Sequence, residues 1–187
     1  MVTRVAMAIA YEIKTLDLKN PNFTKRAVRS ITEIINYYIE DSEGICADFH
    51  DKKINHKKIE RWLVCVKLGY PFYVAEANID GHPEIIGFGF LFPHGDLEIE
   101  TFRRTAELAL YVDHRFRGNG IGNAILEKLA AEAKAKGVDN IFSSLSSKNV
   151  KGVTFHEKNG FGVCGKLAHA GKKNGEDIDI IWMQRFL

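Results

Sequence analysis

Residues 106–136 hold the arrangement that most narrows the fold. An apolar run, AELALYVDH, is followed by the turn RFRGNGIG and then by apolar residues at helical spacing. Period-two alternation predicts a strand that puts Glu107, Ala109 and Tyr111 on one face and Leu108, Leu110 and Val112 on the other. Ile125, Leu126, Leu129, Ala130 and Ala133 line one side of a predicted helix from Ile121 to Lys136, with Gly137 as its stop. Gly118, Gly120 and Gly122 therefore stand where a strand hands over to a helix. Bare amides at the positive end of a helix dipole suit a phosphate. A tight turn that needs glycine only for positive φ is the plainer alternative.

The surrounding pattern limits which phosphate loop this can be. The string GxxxxGK[ST] is absent. The dinucleotide fingerprint GxGxxG fails as well, since Asn123 or Ile125 stands where the last glycine belongs. A third pattern is Arg-x-x-Gly-x-Gly, here Arg117-Gly118-Asn119-Gly120-Ile121-Gly122, whose backbone amides can wrap a pyrophosphate while Arg117 offers a charge-assisted contact.

Upstream, residues 7–14 suggest a strand, and Ala27, Ile31, Ile34, Ile35 and Tyr38 a helix after Asn20-Pro21-Asn22. Ile59, Trp62, Leu63 and Val66 suggest a second helix ending near Gly69. PFYVAEAN and EIIGFGFLFP form a hairpin across Asp80-Gly81. Downstream come the strand NIFSSLS, a helix from Asn149 to Lys158, and two strands paired across Asn174-Gly175. This order predicts a mixed α/β fold with a largely antiparallel sheet. The 187 residues show no repeat or linker, so one domain over 1–187 is expected. A net charge of +2 without a basic-aromatic run argues against nucleic acid, and no stretch has the length of a membrane span. Cys46, Cys65 and Cys164 make an odd, scattered set, which points away from disulfides and zinc and toward a reducing cytoplasm. His94, His114 and His169 lack metal spacing and fit surface or loop positions.

The glycine loop resembles the coenzyme A loop of the GNAT superfamily of N-acetyltransferases. Asn149, Phe155-His156-Glu157-Lys158 and Gly160-Phe161 are similar to that superfamily's segment near the last helix. IINYYIEDSE, PFYVAE, GFGF, TAELALYV and MQRFL resemble the branch of phosphinothricin and L-amino acid N-acetyltransferases, so the likeness runs from about residue 31 to the end. It implies a central sheet flanked by about four helices, with a splayed strand pair that admits acetyl-CoA and no metal. Tyr111, Val112, Arg117, Gly118, Asn119, Gly120, Ile121, Gly122 and Asn149 are then the cofactor contacts, with amides near Val112 facing the reacting carbonyl. For Asn149, a plain helix cap is the competing role.

The resemblance makes Glu107 the base that frees the acceptor amine; a salt-bridged or solvated strand carboxylate is the alternative. His156 stands where many members have a tyrosine that protonates the departing thiolate; an acid role and a plain hydrogen bond to the cofactor or the helix both stay open. Acceptor contacts are expected at Asn36, Tyr38, Phe102 and Arg103. The branch carries arginines and a tyrosine before the glutamate, but Leu97, Ile99 and Phe102 occupy those positions here and only Arg103 and Arg104 lie nearby. The implied reaction moves an acetyl group from acetyl-CoA to the primary amine of a small acceptor, an amino acid or an analogue. A protein- or peptide-directed transferase and a non-catalytic acyl-CoA sensor are the alternatives; a retained Glu107 argues against the sensor. A homodimer stays open.

Overall fold

The computed structural model describes residues 9–40, 52–95, 102–173 and 175–187. Its elements are β1 (Tyr11–Thr15), α1 (Pro21–Glu40), α2 (His56–Trp62), α3 (Val64–Lys67), β2 (Phe72–Ile79), β3 (His82–Pro93), β4 (Thr105–Val112), α4 (Ile121–Ala135), β5 (Asn140–Ser146), α5 (Val150–Lys158), β6 (Gly162–Lys173) and β7 (Glu176–Phe186). A 3-10 turn over His114–Phe116 links β4 to the glycine loop. The first strand starts at Tyr11, later than expected; residues 7 and 8 lie outside the described residues, as do Cys46, Leu97, Ile99 and Asn174. The predicted second helix is two short ones. They part at Leu63, where the Val66 amide donates to the Leu63 carbonyl three residues back and tightens the turn.

The strands form one sheet in the order β1-β2-β3-β4-β5-β7-β6. All neighbours are antiparallel except β4 and β5, which are joined by the α4 crossover and run parallel. Asp80 and Gly81 both take positive φ, so the β2–β3 hairpin closes on a two-residue turn.

Alternation along β2, β3 and β4 feeds two cores. On one face Ala75, Ile86, Leu91 and Leu108 meet Ile121, Ile125, Leu126 and Leu129 of α4. On the other, Val74, Ile85, Phe88 and Phe90 meet Ala27, Ile31, Ile34 and Ile35 of α1, with Ile59 of α2. Each Val, Leu, Ile or Phe side chain among them stabilises the fold by about 1.5–3 kcal/mol when fully buried. Gly89 lets α4 lie close to β3, since a Cβ there would sit 2.8 Å from Ile125 Cγ2 and 2.9 Å from Leu110 Cδ1. That packing holds the N-terminus of α4 beside the end of β4, where the glycine loop emerges.

Candidate active site

The site begins where two strands part. Paired residues between β4 and β5 run only through Thr105↔Asn140, Ala106↔Ile141 and Glu107↔Phe142. β4 continues to Val112, whereas β5 stays paired with β7 from Asn140↔Phe186 to Ser146↔Ile180. The Asp113 amide donates to the Ile86 carbonyl on the β3 side, so by period two the backbone groups of Leu110 and Val112 face the opening toward β5. A cavity of about 400 Å³ fills that opening. Leu108–Val112 form one wall and Ser143–Leu145 the other, with Asn149, Phe155 and His156 of the α5 segment closing the end.

The glycine loop lies at its mouth. Gly118 and Gly120 take φ of +83° and +77°, which a side chain would strain. The first bond of the α4 ladder joins the Ala124 amide to the Gly120 carbonyl, so the amides of Ile121, Gly122 and Asn123 precede it. The Ile121 side chain is in the core, which leaves only its backbone for a ligand. Asn119 braces the loop by donating from Nδ2 to the Phe116 carbonyl at 3.1 Å. The glycines thus take the positive φ that the plainer turn reading requires, and the same turn presents amides at the start of α4.

Tyr38 reaches the opening from α1. Its hydroxyl donates to the Val112 carbonyl at 2.5 Å and accepts from Arg117 Nε at 3.0 Å. The Arg117 guanidinium lies 4.9 Å from the Tyr38 ring centre. Burial raises the Tyr38 pKa, and the neighbouring Arg117 opposes that rise. Tyr111 stacks on Phe88 at 5.4 Å and also lines the cavity. Asn149 is the N-cap of α5, its Oδ1 accepting from the Gly152 amide at 2.9 Å. Only its Nδ2 is left to donate toward the cavity.

His156 is buried, with 6% of its surface exposed. Its Nδ1 lies 2.8 Å from the Gly152 carbonyl. A carbonyl can only accept, so Nδ1 carries the hydrogen and Nε2 the lone pair. Among the described residues Nε2 has no partner although it is buried. Burial pushes the ring's pKa below the ordinary histidine value, against the smaller opposing effect of the Gly152 carbonyl. At neutral pH the ring is therefore neutral, with an acceptor atom at the cavity.

Glu107 sits at the base of the gap and lines the cavity. His94 Nδ1 lies 2.8 Å from its Oε1. His94 stands in the loop just past β3, within the surface or loop position expected for it; its contact with Glu107 was not foreseen, because a separation of 13 residues follows no motif spacing. The contact comes from the β3–β4 register, which sets Phe92 opposite Glu107 and brings the residue just past β3 to the same corner.

The expected acceptor contacts do not converge. Tyr38 lines the cavity, but Asn36 donates from Nδ2 to the Ile54 carbonyl at 3.0 Å and accepts from the Ile54 amide at 2.8 Å. Asn36 pins the chain ahead of α2 and is absent from the cavity wall. Phe102 and Arg103 line a different cavity, with Leu68, Tyr70 and Lys136, because the chain before β4 turns toward the end of α4.

These features agree with known proteins. The family model described as the acetyltransferase (GNAT) family matches residues 31–161. The chain belongs to the GNAT acetyltransferase family. Among GNAT relatives, the L-methionine sulfoximine/L-methionine sulfone acetyltransferase of Pseudomonas aeruginosa is 32% identical over 159 residues, spanning 84% of this chain and 89% of the relative. The phosphinothricin N-acetyltransferase of Streptomyces viridochromogenes is 26% identical over 162 residues, spanning 87% of this chain and 84% of the relative. Among solved structures, yncA from Salmonella typhimurium with its cofactor acetyl-CoA aligns at a TM-score of 0.79 and 26% identity, over 95% of this chain and 94% of that one.

Proposed function

We propose that this GNAT acetyltransferase moves the acetyl group of acetyl-CoA to the primary amine of a small, amino-acid-like acceptor. One observation carries the reading: the parted β4–β5 pair forms a cleft with Glu107 at its base and the glycine loop at its mouth. The relatives that act on methionine sulfoximine, methionine sulfone and phosphinothricin support that class of acceptor.

The residues fit the cofactor. Amides of Ile121 and Gly122 suit a pyrophosphate at the helix start, and Arg117 keeps guanidinium N–H groups for it beyond the one given to Tyr38. Backbone groups of Leu110 suit the amides of a pantetheine arm, and Asn149 Nδ2 can donate to it. Acetyl-CoA supplies an activated thioester and a thiolate leaving group.

Glu107 accepts the proton that the acceptor ammonium must lose before its nitrogen can attack. The Val112 amide donates to the thioester oxygen as that oxygen gains negative charge. His156 acts as a cofactor contact through Nε2, because donating a proton would require a charged ring that burial disfavours.

The test is thiol release from acetyl-CoA across amino acids, methionine sulfone, methionine sulfoximine, phosphinothricin, polyamines and a peptide with a free N-terminus. Turnover is expected with one or more of the amino-acid-like acceptors. Turnover with the peptide alone would replace this reading by a peptide-directed one. Tight acetyl-CoA binding with no turnover would mark the chain as a sensor.

A further inference from the structure

We propose that His94 is a positioning residue for Glu107: its Nδ1–H holds Oε1 of the carboxylate so that Oε2 faces the acceptor amine. The proposal rests on the reading of Glu107 as the base. The two groups are 2.8 Å apart, and their side chains are 39% and 26% exposed. Among the described residues, Oε2 has no hydrogen-bond partner.

The His94 ring is held from two sides. Phe102 meets it edge-on, with centroids 6.0 Å apart at 89°, and Phe142 packs against it at 5.4 Å. Phe142 is the last β5 residue paired with β4, and its partner is Glu107 itself. The ring is therefore clamped at the point where the strands separate. Gly95, with φ of +74°, follows it directly.

Stability does not explain the pair. Both side chains are partly open to solvent, which screens such a contact and leaves it little weight in folding. Orientation is where such a contact has leverage, since a general base must meet its proton within hydrogen-bond reach and a free glutamate samples several rotamers. Neutral imidazole with hydrogen on Nδ1 suffices for this role. No proton has to pass through His94.

Two substitutions separate positioning from packing. His94→Asn places an amide Nδ2–H at the Nδ1 position but loses the ring. His94→Phe keeps the ring between Phe102 and Phe142 but loses the donor, and His94→Leu is a second donor-free variant. With the best acceptor from the screen, His94→Phe and His94→Leu should lower kcat by about ten- to a hundredfold, the effect of losing a hydrogen bond to a charged group. The acetyl-CoA KM should stay within about twofold. His94→Asn should recover most of kcat. A packing role predicts the reverse order, with Phe near wild type and Asn impaired, and would overturn the proposal, as would wild-type kcat in both donor-free variants. Glu107→Gln tells the two readings apart. If it turns over like wild type, the base assignment falls. If it is slow, adding His94→Phe to it should cause no further loss, because the residue that His94 orients is already disabled; losses that multiply would refute the proposal while leaving Glu107 as the base.

Discussion

Replacing Gly122 with alanine should weaken cofactor binding while leaving stability nearly unchanged. Gly122 is the second residue of α4 and has no positive φ, so alanine is free of backbone strain there. In a helix, alanine is favoured over glycine by up to about 1 kcal/mol. Against this, the new Cβ would lie 3.2 and 3.3 Å from the Phe155 ring carbons Cε2 and Cζ and 3.7 Å from Val112 Cγ2. Phe155 lines the cavity, so its ring can swing toward open space at a cost of about 0.5–1.5 kcal/mol. The two effects nearly cancel, and Tm should change by no more than about 3 °C. Binding has no such compensation. The methyl and the displaced ring both narrow the approach to the amides at the start of α4. Loss of one charge-assisted hydrogen bond, about 1.5–3 kcal/mol, weakens Kd roughly ten- to a hundredfold. Calorimetric titration with acetyl-CoA, beside thermal melts, measures both quantities. A folded variant whose Kd stays within twofold of wild type would refute the assignment of the pyrophosphate to this loop.

Two further outcomes follow from the packing and the buried histidine. Gly89→Ala drives a Cβ to within 3.1 Å of Ile125, Leu110 and Leu129 side chains, so it should destabilise by about 1–3 kcal/mol through overpacking, read as a lowered midpoint in urea; an unchanged midpoint would show that α4 is not tightly seated on β3. His156 has a depressed pKa, so its contribution to stability is complete above the unfolded value of about 6.5 and is lost as pH falls from there through the folded value. Melts at stepped pH should show wild type losing Tm as pH falls below about 6.5, and His156→Gln should flatten that slope; parallel curves would mean that the ring is not held neutral.

Local geometry explains what could be known from the sequence. Alternation along β4 assigned Glu107 and Tyr111 to one face because side chains of a strand alternate whatever surrounds them. The glycine loop, the Asn149 cap and the Asp80-Gly81 turn are likewise matters of a few neighbouring dihedrals, and each lies where the local pattern put it. The split of the second helix at Leu63 escaped because apolar spacing continues unbroken across it. Everything that depended on pairing distant segments was decided by the tertiary structure. Tyr38 reaches the Val112 carbonyl across 74 residues, Asn36 turns to Ile54 in place of the cavity, and Phe102 and Arg103 face another cavity. His94 finds Glu107 only because the register of β3 on β4 and the Phe142 ring at the strand fork hold it there. Such contacts depend on strand register and on side chains packing from both faces of the sheet, and no spacing within a short stretch of chain encodes either.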